Sequence, residues 1–272
     1  MGCGIVRPMN SLQPQPVGHL LREWRQRRRL SQLDLACEAE ISTRHLSFLE
    51  TGRALPSREM LLHLAEQLEV PLRERNILLV AAGYAPAFSE RALDDPALAA
   101  ARRAIDQVLA GHEPYPALAI DRHWTLIAAN VAIPPLLADV DPALLQPPAN
   151  VLRLSLHPRG LAPRIANLAE WRAHLLARLR RQIDVTADPV LVELMQELMS
   201  YPLSGAARGG RTPVERAQAE VVTPFQLNTA SGRLTFFSTT MVFGTPVDIT
   251  LSELALETFF PADPATAEAL RR

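Results

Sequence analysis

Lysine is absent from this chain of 272 residues, so all 28 of its basic side chains are arginines. Cysteine is almost absent too: Cys3 and Cys37 are the only two and lie far apart. A disulfide framework or a zinc site would need more ligands at closer spacing, so neither is expected. Cys37 falls within a helical pattern, and we expect it to be buried as a small apolar residue.

Long apolar runs are missing as well. No stretch approaches the ~20 consecutive apolar residues that a membrane-spanning helix needs. Residues 1–16 lack the apolar core of a secretory signal, and their glutamines and prolines predict a disordered arm. We therefore expect a cytoplasmic protein with no membrane partner.

A strong excess of one charge is also missing, because the net charge is only -1. Residues 1–91 hold 12 arginines against 10 acidic side chains, and the remainder holds 16 against 19. The asymmetry has the direction that nucleic-acid binding would require, but it is too small to establish it. A hydrophobic content of 48% indicates a globular protein with a true core.

Residues 17–83 carry five short helical patterns with connections of two to five residues. Ser31, Ser42 and Ser57 precede three of the helices as N-caps. Gly52 follows the third helix as a stop signal, and Pro71 opens the fifth. We predict an all-α domain over residues 17–83, followed by a linker over residues 84–96.

Residues 97–272 mix both kinds of secondary structure. Their pattern predicts an α+β domain whose antiparallel sheet has its helices packed on one side. The predicted helices are 97–111, 131–137, 151–156, 168–183 and 189–199. The predicted strands are 117–121, 124–128, 221–227, 233–243 and 247–250.

The third predicted helix, Thr43–Thr51, has the features of a helix that enters the major groove of DNA. Leu46 and Leu49 are spaced to point inward, which leaves the opposite face free. Arg44 on that face can pair bidentately with guanine, and a helix N-terminus near Gln32 favours a phosphate. The candidate DNA-binding residues are Gln32, Ser42, Thr43, Arg44, Ser47, Phe48 and Arg53.

The segments Leu30-Ser31-Gln32 and Ser42–Arg53 (STRHLSFLETGR) resemble the phage-repressor (XRE-type) helix-turn-helix family. The resemblance implies base readout by the residues that match the family's readers and a phosphate contact at Arg53. It also implies an ion pair between Arg25 and Glu50. The matching readers are Gln32, Thr43, Arg44 and Phe48. The sequence departs from the family at two positions. Glu40 replaces the usual turn glycine and is expected to be strained, and Phe48 replaces a polar reader and could touch a thymine methyl.

The second domain shows no catalytic constellation. Phosphate-loop, dinucleotide-binding, zinc-protease and nucleophile-elbow motifs are all missing, so no catalytic or metal-binding residue is predicted. We interpret His123 and His157 as hydrogen-bonded structural residues. An enzyme is therefore not expected.

Several blocks of the second domain resemble the ligand-binding domain of MmyB-like regulators: Trp124–Asn130, Asn150–Pro158, Asn167–Trp171, Phe243–Pro246 and Glu253–Asp263. The resemblance implies a PAS-like fold with helices covering a five-stranded antiparallel sheet. It also implies a small apolar ligand such as a fatty acid, no other cofactor, and a link to antibiotic metabolism in actinomycetes.

A pocket between sheet and helices would be mostly apolar with a few polar groups. Arg153 or His157 could hold a ligand carboxylate, although Arg153 could equally pair with an internal acid, and the apolar residues could be plain core. The arginines of 168–183, including Arg178, are interpreted as a solvent face. The candidate pocket residues are Trp124, Leu152, Arg153, Leu156, His157, Trp171, Met195, Phe225, Phe236 and Phe243.

These observations favour a ligand-responsive regulator that binds double-stranded DNA as a homodimer, on half-sites about one helical turn apart. Ligand binding would change the affinity for the operator. Two other interpretations remain open: the PAS-like domain could serve dimerisation alone, or it could be a cryptic enzyme.

Overall fold

The computed structural model describes residues 15–202 and 222–271 and divides the chain into two compact units, residues 1–89 and 90–272. The predicted arm, residues 1–16, falls almost wholly outside the described residues. Among those described, no helix is long and apolar enough to cross a membrane.

The first unit consists of helices with short connections. The caps predicted at its serines are present: Ser31, Ser42 and Ser57 each accept a hydrogen bond from the backbone N–H three residues later. These bonds satisfy donors that a helix N-terminus would otherwise leave free. The helices are α1 (Val17–Arg27), α2 (Gln32–Glu38), α3 (Thr43–Glu50), α4 (Arg58–Gln67) and α5 (Leu72–Ala81).

Close packing joins α1 to the end of α3. Gly18 is buried, and a Cβ atom added there would lie 2.2 Å from the Leu49 carbonyl oxygen and 2.9 Å from that of Glu50. Only glycine permits this approach of two backbones. Buried leucines form the core of this unit: Leu21, Leu35, Leu46, Leu49, Leu61, Leu64, Leu68, Leu78 and Leu79.

The turn between α2 and α3 has the strained backbone that its sequence predicts. Glu40 has a φ of 52°, in the left-handed region that favours glycine. Cys37 differs from expectation, because it is exposed and not buried. It lies on the outer side of α2, where Leu35 and Ala36 take the inward positions.

The second unit is an α+β domain. Its strands are β1 (Ala117–Ile120), β2 (Leu126–Ala129), β3 (Phe225–Thr229), β4 (Gly232–Val242) and β5 (Ala255–Pro261). The helices among its described residues are α6 (Ala99–Gly111), α7 (Ile133–Leu136), α8 (Pro142–Leu145), α9 (Val151–Leu156), α10 (Leu168–Thr186), α11 (Pro189–Ser200), α12 (Ile249–Ser252) and α13 (Pro264–Ala269). Short 3₁₀ turns occupy Pro96–Leu98 and Ala162–Arg164.

The five strands form one antiparallel sheet in the order β2-β1-β5-β4-β3. Helices cover both of its faces, so the expectation of helices on one side is wrong. Leu118 and Ile120 of β1 face the larger core with α9, α10 and α11. Ala117 and Ala119 face α6 through Ile105 and Leu109. Burial of β1 on both faces explains its unbroken apolar sequence.

The segment 247–250, predicted as a strand, instead starts helix α12. Asp248 is the N-cap, and its Oδ1 accepts a hydrogen bond from Thr250 N at 3.0 Å. A local cap therefore overrides the β-favouring valine, isoleucine and threonine. The fifth strand of the sheet is β5, which the strand pattern missed.

Candidate functional site

The outer face of α3 is an exposed polar surface. Thr43 and Arg44 are exposed and Ser47 and Phe48 are half-buried, whereas Leu46 is fully buried beneath them. Ser42 is also exposed, and its Oγ accepts the cap bond from His45 N. The structure therefore places the predicted reading residues on one side of one helix.

Phe48 lies between two arginines at the end of this face. The guanidinium carbon of Arg44 is 5.3 Å from the ring centroid, and that of Arg53 is 5.9 Å away. Both distances suit a cation–π interaction. Among the described residues, neither guanidinium has an acidic partner, so both positive charges are available to an anion.

The end of α3 fixes where Arg53 lies. Gly52 adopts a φ of 72°, Arg53 N donates to Phe48 O at 2.9 Å, and Gly52 N donates to Leu49 O at 3.2 Å. These two bonds form a Schellman motif, which needs the left-handed residue that glycine supplies. The motif reverses the direction of the chain, so that Arg53 lies beside the Phe48 ring.

A buried ion pair anchors α3 to α1, as the resemblance implied. Arg25 Nε donates to Glu50 Oε1 at 2.6 Å and Nη2 donates to Oε2 at 2.9 Å. Gln32 Nε2 donates to the same carboxylate at 2.8 Å, which uses one of the donors of its side-chain amide. Burial raises the pKa of Glu50, but the bonds from Arg25 and Gln32 outweigh it and leave that pKa below its ordinary value.

The second unit contains an apolar cavity of about 100 Å³ between the sheet and its helices. All but three of its lining residues are apolar. The three polar ones are Ser155, Arg178 and Glu257. The apolar lining residues are Pro116, Leu118, Trp124, Leu126, Ile133, Leu136, Leu137, Val151, Leu152, Leu154, Leu161, Trp171, Leu175, Phe225, Phe236 and Phe259.

The two charged residues of the cavity form a bidentate pair. Arg178 Nη2 donates to Glu257 Oε1 at 2.5 Å and Nη1 donates to Oε2 at 3.2 Å. Thr240 Oγ1 donates to Glu257 Oε1 at 2.9 Å, and the Arg178 guanidinium carbon lies 4.9 Å from the Trp124 ring. The pair is therefore held from several sides.

The two cavity tryptophans are fixed by hydrogen bonds. Trp124 Nε1 donates to Gln182 Oε1 at 2.8 Å, which holds the residue despite a left-handed φ of 65°. Trp171 Nε1 donates to Ser155 Oγ at 3.0 Å, and its ring stacks on His174. Burial, and then the charges of Arg178 and Arg181, lower the pKa of His174, so it is neutral at pH 7.

Five predicted pocket residues line this cavity: Trp124, Leu152, Trp171, Phe225 and Phe236. Leu156 and Met195 belong to the surrounding core but do not reach it. Phe243 packs on the opposite face of the sheet, against the core that contains Ile105 and Leu109. Phe243 directly follows the last residue of β4 and therefore lies beyond the part of the strand that faces the cavity.

The predicted carboxylate holders are also outside the cavity. Arg153 Nε and Nη2 donate to Glu197 at 2.7 to 3.1 Å, the internal pairing left open by the sequence. His157 contacts the Tyr201 ring at 5.0 Å and accepts a hydrogen bond from Arg159 N. A separate, polar cavity of about 290 Å³ includes Arg153 and Glu197 in its wall.

Sequence reasoning missed Arg178 and Glu257. Arg178 lies seven residues after Trp171 and three after Leu175, so helical spacing puts all three on one face of α10. Glu257 alternates with Leu256 along β5 and is the register partner of Leu118 and Thr240. Glu257 lies beside Arg178 only because β5 pairs within the sheet and α10 packs on that sheet, and both of these contacts are non-local.

His123, interpreted as structural, does have a hydrogen-bonding partner. Its Nε2 lies 2.8 Å from Asp188 Oδ2, and Asp188 also caps α11 through Val190 N. Within residues 15–202 and 222–271, no group of three or more His, Cys, Asp or Glu side chains is arranged to hold a metal ion.

Comparison with protein families assigns both units. The family model for the ligand-binding domain of MmyB-like transcription regulators matches residues 101–272. A helix-turn-helix domain model matches residues 16–78, the part of the chain that holds α1 to α4 and most of α5. A comparison with curated proteins found no match.

Proposed function

Because the chain belongs to the MmyB-like transcription regulators and carries an XRE-type helix-turn-helix domain, we propose that it binds an operator sequence-specifically and responds to a small apolar ligand. The observation that carries the DNA-binding part is the pair of exposed arginines, Arg44 and Arg53, on a helix anchored by a buried ion pair. Arg44 reads a base and Arg53 contacts the phosphate backbone.

The C-terminal unit contributes the sensing function in this proposal. The apolar cavity between sheet and helices supports it, because ligand sites are concave and largely apolar with a few polar groups. A fatty acid is the candidate that the family resemblance suggests. We further propose a PAS-like fold, a homodimer and a cytoplasmic location, with no catalytic role for the unit.

The DNA-binding part can be tested by selecting duplexes from a random pool and measuring Kd on selected and scrambled DNA. Arg44→Ala should weaken binding to the selected duplex about 5- to 100-fold and leave scrambled DNA nearly unaffected, because a bidentate base contact contributes ~1–3 kcal/mol of discrimination. Arg53→Ala should weaken both alike and reduce the salt slope by about 1.

Arg103→Ala is the matched control, because it removes the same charge from an exposed position of α6 in the other unit. Equal losses on selected and scrambled DNA for Arg44→Ala would contradict its role as a reader. The ligand-binding part can be tested by native mass spectrometry of the purified full chain. A bound small molecule that changes the Kd for the selected duplex supports the proposal, and one that leaves the Kd unchanged contradicts a sensing role.

A further inference from the structure

The linker, residues 84–96, is fixed to the first unit by the side chain of Asn76 in α5. The Oδ1 atom of Asn76 accepts hydrogen bonds from Ala87 N at 2.9 Å and from Phe88 N at 3.1 Å. Its Nδ2 donates to Phe88 O at 2.8 Å. One side-chain amide therefore binds three backbone groups of two consecutive residues, so the chain leaves α5 along a defined path.

The next part of the linker is fixed to α12 of the second unit. Arg91 Nη1 donates to Asp248 Oδ2 at 2.9 Å, and Thr250 Oγ1 donates to the carbonyl oxygen of Arg91 at 2.6 Å. The Asp248 side chain is only 2% exposed, whereas that of Arg91 is 40% exposed. A partly buried ion pair is screened by salt much less than a pair on the surface. Both the side chain and the backbone of Arg91 are thus held at the start of α12.

Leu93 adds an apolar contact two residues further along the linker. It packs against the core that contains Leu254 and Leu256, on the α6 side of the sheet. The residue after Leu256 in β5 is Glu257, which lines the apolar cavity on the other side. Successive side chains of a strand point to opposite faces, and close-packed interiors transmit strain. A shift of β5 at the cavity would therefore also move the surface that Leu93 contacts.

The part of the linker between these two attachments is short. Ser89 and Glu90 are the only residues between Phe88, which Asn76 holds, and Arg91. Three residue steps of fully extended chain span at most about 11 Å. A movement of Arg91 is therefore passed along the chain to Phe88, because so short a connection has little length with which to absorb it.

We propose that Arg91 and Asp248 are positioning residues for the regulatory response: through their contact, a shift of β5 and α12 moves the linker and so reaches α5. The inference rests on the proposed function and specifies how ligand binding is linked to operator binding. Coupling between two binding sites is reciprocal. DNA bound at α3 therefore changes the stability of α12 and β5, and a DNA duplex can serve as the probe of this route.

The test measures hydrogen exchange of the full chain with and without the selected duplex. The quantity compared is the ratio of the exchange rates without and with DNA for the amides of residues 249–258, which belong to α12 and β5. In the wild type this ratio should differ from unity by about fivefold or more, since allosteric coupling typically changes an equilibrium constant by at least that factor.

Asp248→Asn removes the charge that holds Arg91 and keeps the cap of α12, because asparagine caps helices about as well as aspartate. The ratio should then fall close to unity. A merely structural role would instead raise exchange equally with and without DNA and leave the ratio unchanged. Asp106→Asn removes the same charge from an exposed position of α6 and should keep the wild-type ratio.

Arg91→Gln tests the same contact from its other side and should lower the ratio as Asp248→Asn does. If the two residues act through one contact, the double variant should lose no more of the DNA effect than either single variant. Melting temperatures would show that each variant is folded.

Trypsin provides a second readout that does not depend on DNA, because it cleaves after arginine and must first draw Arg91 away from α12. Cleavage after Arg91, identified by mass spectrometry, should be about fivefold faster or more in Asp248→Asn than in the wild type, since proteolysis follows local opening. In Asp106→Asn the rate should stay that of the wild type.

The outcomes that contradict the proposal are distinct from those that contradict the proposed function. A wild-type ratio close to unity with DNA bound, or an unchanged ratio in Asp248→Asn, would overturn the proposed route and leave DNA binding intact. Unchanged cleavage after Arg91 in Asp248→Asn would overturn the role of Asp248 in holding the linker. Failure of the full chain to select any duplex would overturn the DNA-binding part of the proposed function and this proposal with it.

Discussion

The candidate DNA face and the cavity use arginine in opposite ways. On α3, Arg44 and Arg53 are exposed, lie against an aromatic ring and have no acidic partner among the described residues. At the cavity, Arg178 is mostly buried and bidentate to Glu257. The comparison shows that the same side chain offers a charge to a partner only where the protein has not already neutralised it.

A second contrast lies within the first unit itself. Arg25 is as completely paired as Arg178, yet its function is to hold α1 against α3 and not to line a site. The paired arginine fixes the helix that presents the unpaired ones.

Glu50→Gln should destabilise the protein by about 3 kcal/mol or more, because it leaves the Arg25 charge buried without its partner. The two side chains are 9% and 1% exposed. The free energy of unfolding from urea titration measures the effect. Glu23→Gln is the control, since the His19–Glu23 contact is exposed and should contribute less than about 1 kcal/mol. Equal losses in the two variants would contradict the anchoring role of Glu50.

The stability difference between wild type and Glu50→Gln should depend on pH. The pKa of Glu50 is lowered in the folded state, so its stabilisation is complete above the unfolded pKa of about 4.3. It is lost as the pH falls through the lower folded pKa. Urea titrations from pH 7 to pH 3 should therefore show the difference in the free energy of unfolding between the two proteins decreasing below about pH 4. A difference that grows on acidification would contradict a lowered pKa of Glu50 in the folded state.

Gly18→Ala should destabilise the first unit by about 1–3 kcal/mol, because its Cβ would meet the Leu49 carbonyl oxygen at 2.2 Å. Gly160→Ala should cost the second unit a similar amount, since its Cβ would lie 2.4 Å from the Leu154 carbonyl oxygen. Gly111→Ala, with open space around the new atom, should be neutral or slightly stabilising. Thermal unfolding of the three variants would show whether the two units are equally intolerant of backbone crowding.

Phe48→Leu should weaken DNA binding about fivefold, because Arg44 and Arg53 lose the cation–π contacts, each worth ~0.5–1 kcal/mol, that hold their guanidinium groups in place. Phe48→Tyr keeps the ring face and should bind as wild type does. If Phe48 instead contacts a thymine methyl, replacing thymine with uracil in the duplex should weaken binding by the wild-type protein, because uracil lacks that methyl group. Kd measurements across salt concentrations, with unfolding free energies as controls, distinguish these roles.

Glu40→Gly should stabilise the first unit by about 0.5–1 kcal/mol, because glycine relieves the left-handed strain at a φ of 52°. Glu66→Gly, at an exposed helical position of α4, should instead destabilise by about 1 kcal/mol. Urea titration of the pair is the measurement. A higher free energy of unfolding for Glu40→Gly together with a lower one for Glu66→Gly would confirm the strain. A lower free energy of unfolding for both variants would contradict it.

The first unit was predictable because its signals are local. Serine caps predict where α2, α3 and α4 begin, and the predicted helix Thr43–Thr51 ends one residue beyond the observed α3. The ends of α3 were set by Ser42 and Gly52, both visible in the sequence. Even the strain at Glu40 could be predicted, because the family motif marks the position of the turn.

The second unit was less predictable because its key contacts are non-local. Segment 247–250 became a helix through the Asp248 cap, and β5 was missed although it lies between two other strands. The pairing of Arg178 with Glu257 spans 79 residues of sequence. Apolar composition identified five lining residues of the cavity but could not indicate on which face of the sheet Phe243 would lie.

Strand β1 has a consequence for how the second unit opens. Its four residues, Ala117–Ile120, have strands on both sides and helices against both faces. No water can reach its amides unless both cores separate, so their hydrogen exchange should require the most extensive opening of the unit. The slowest-exchanging amides of β1 would then report the global stability of the ligand-binding domain, while surface loops report only local motion.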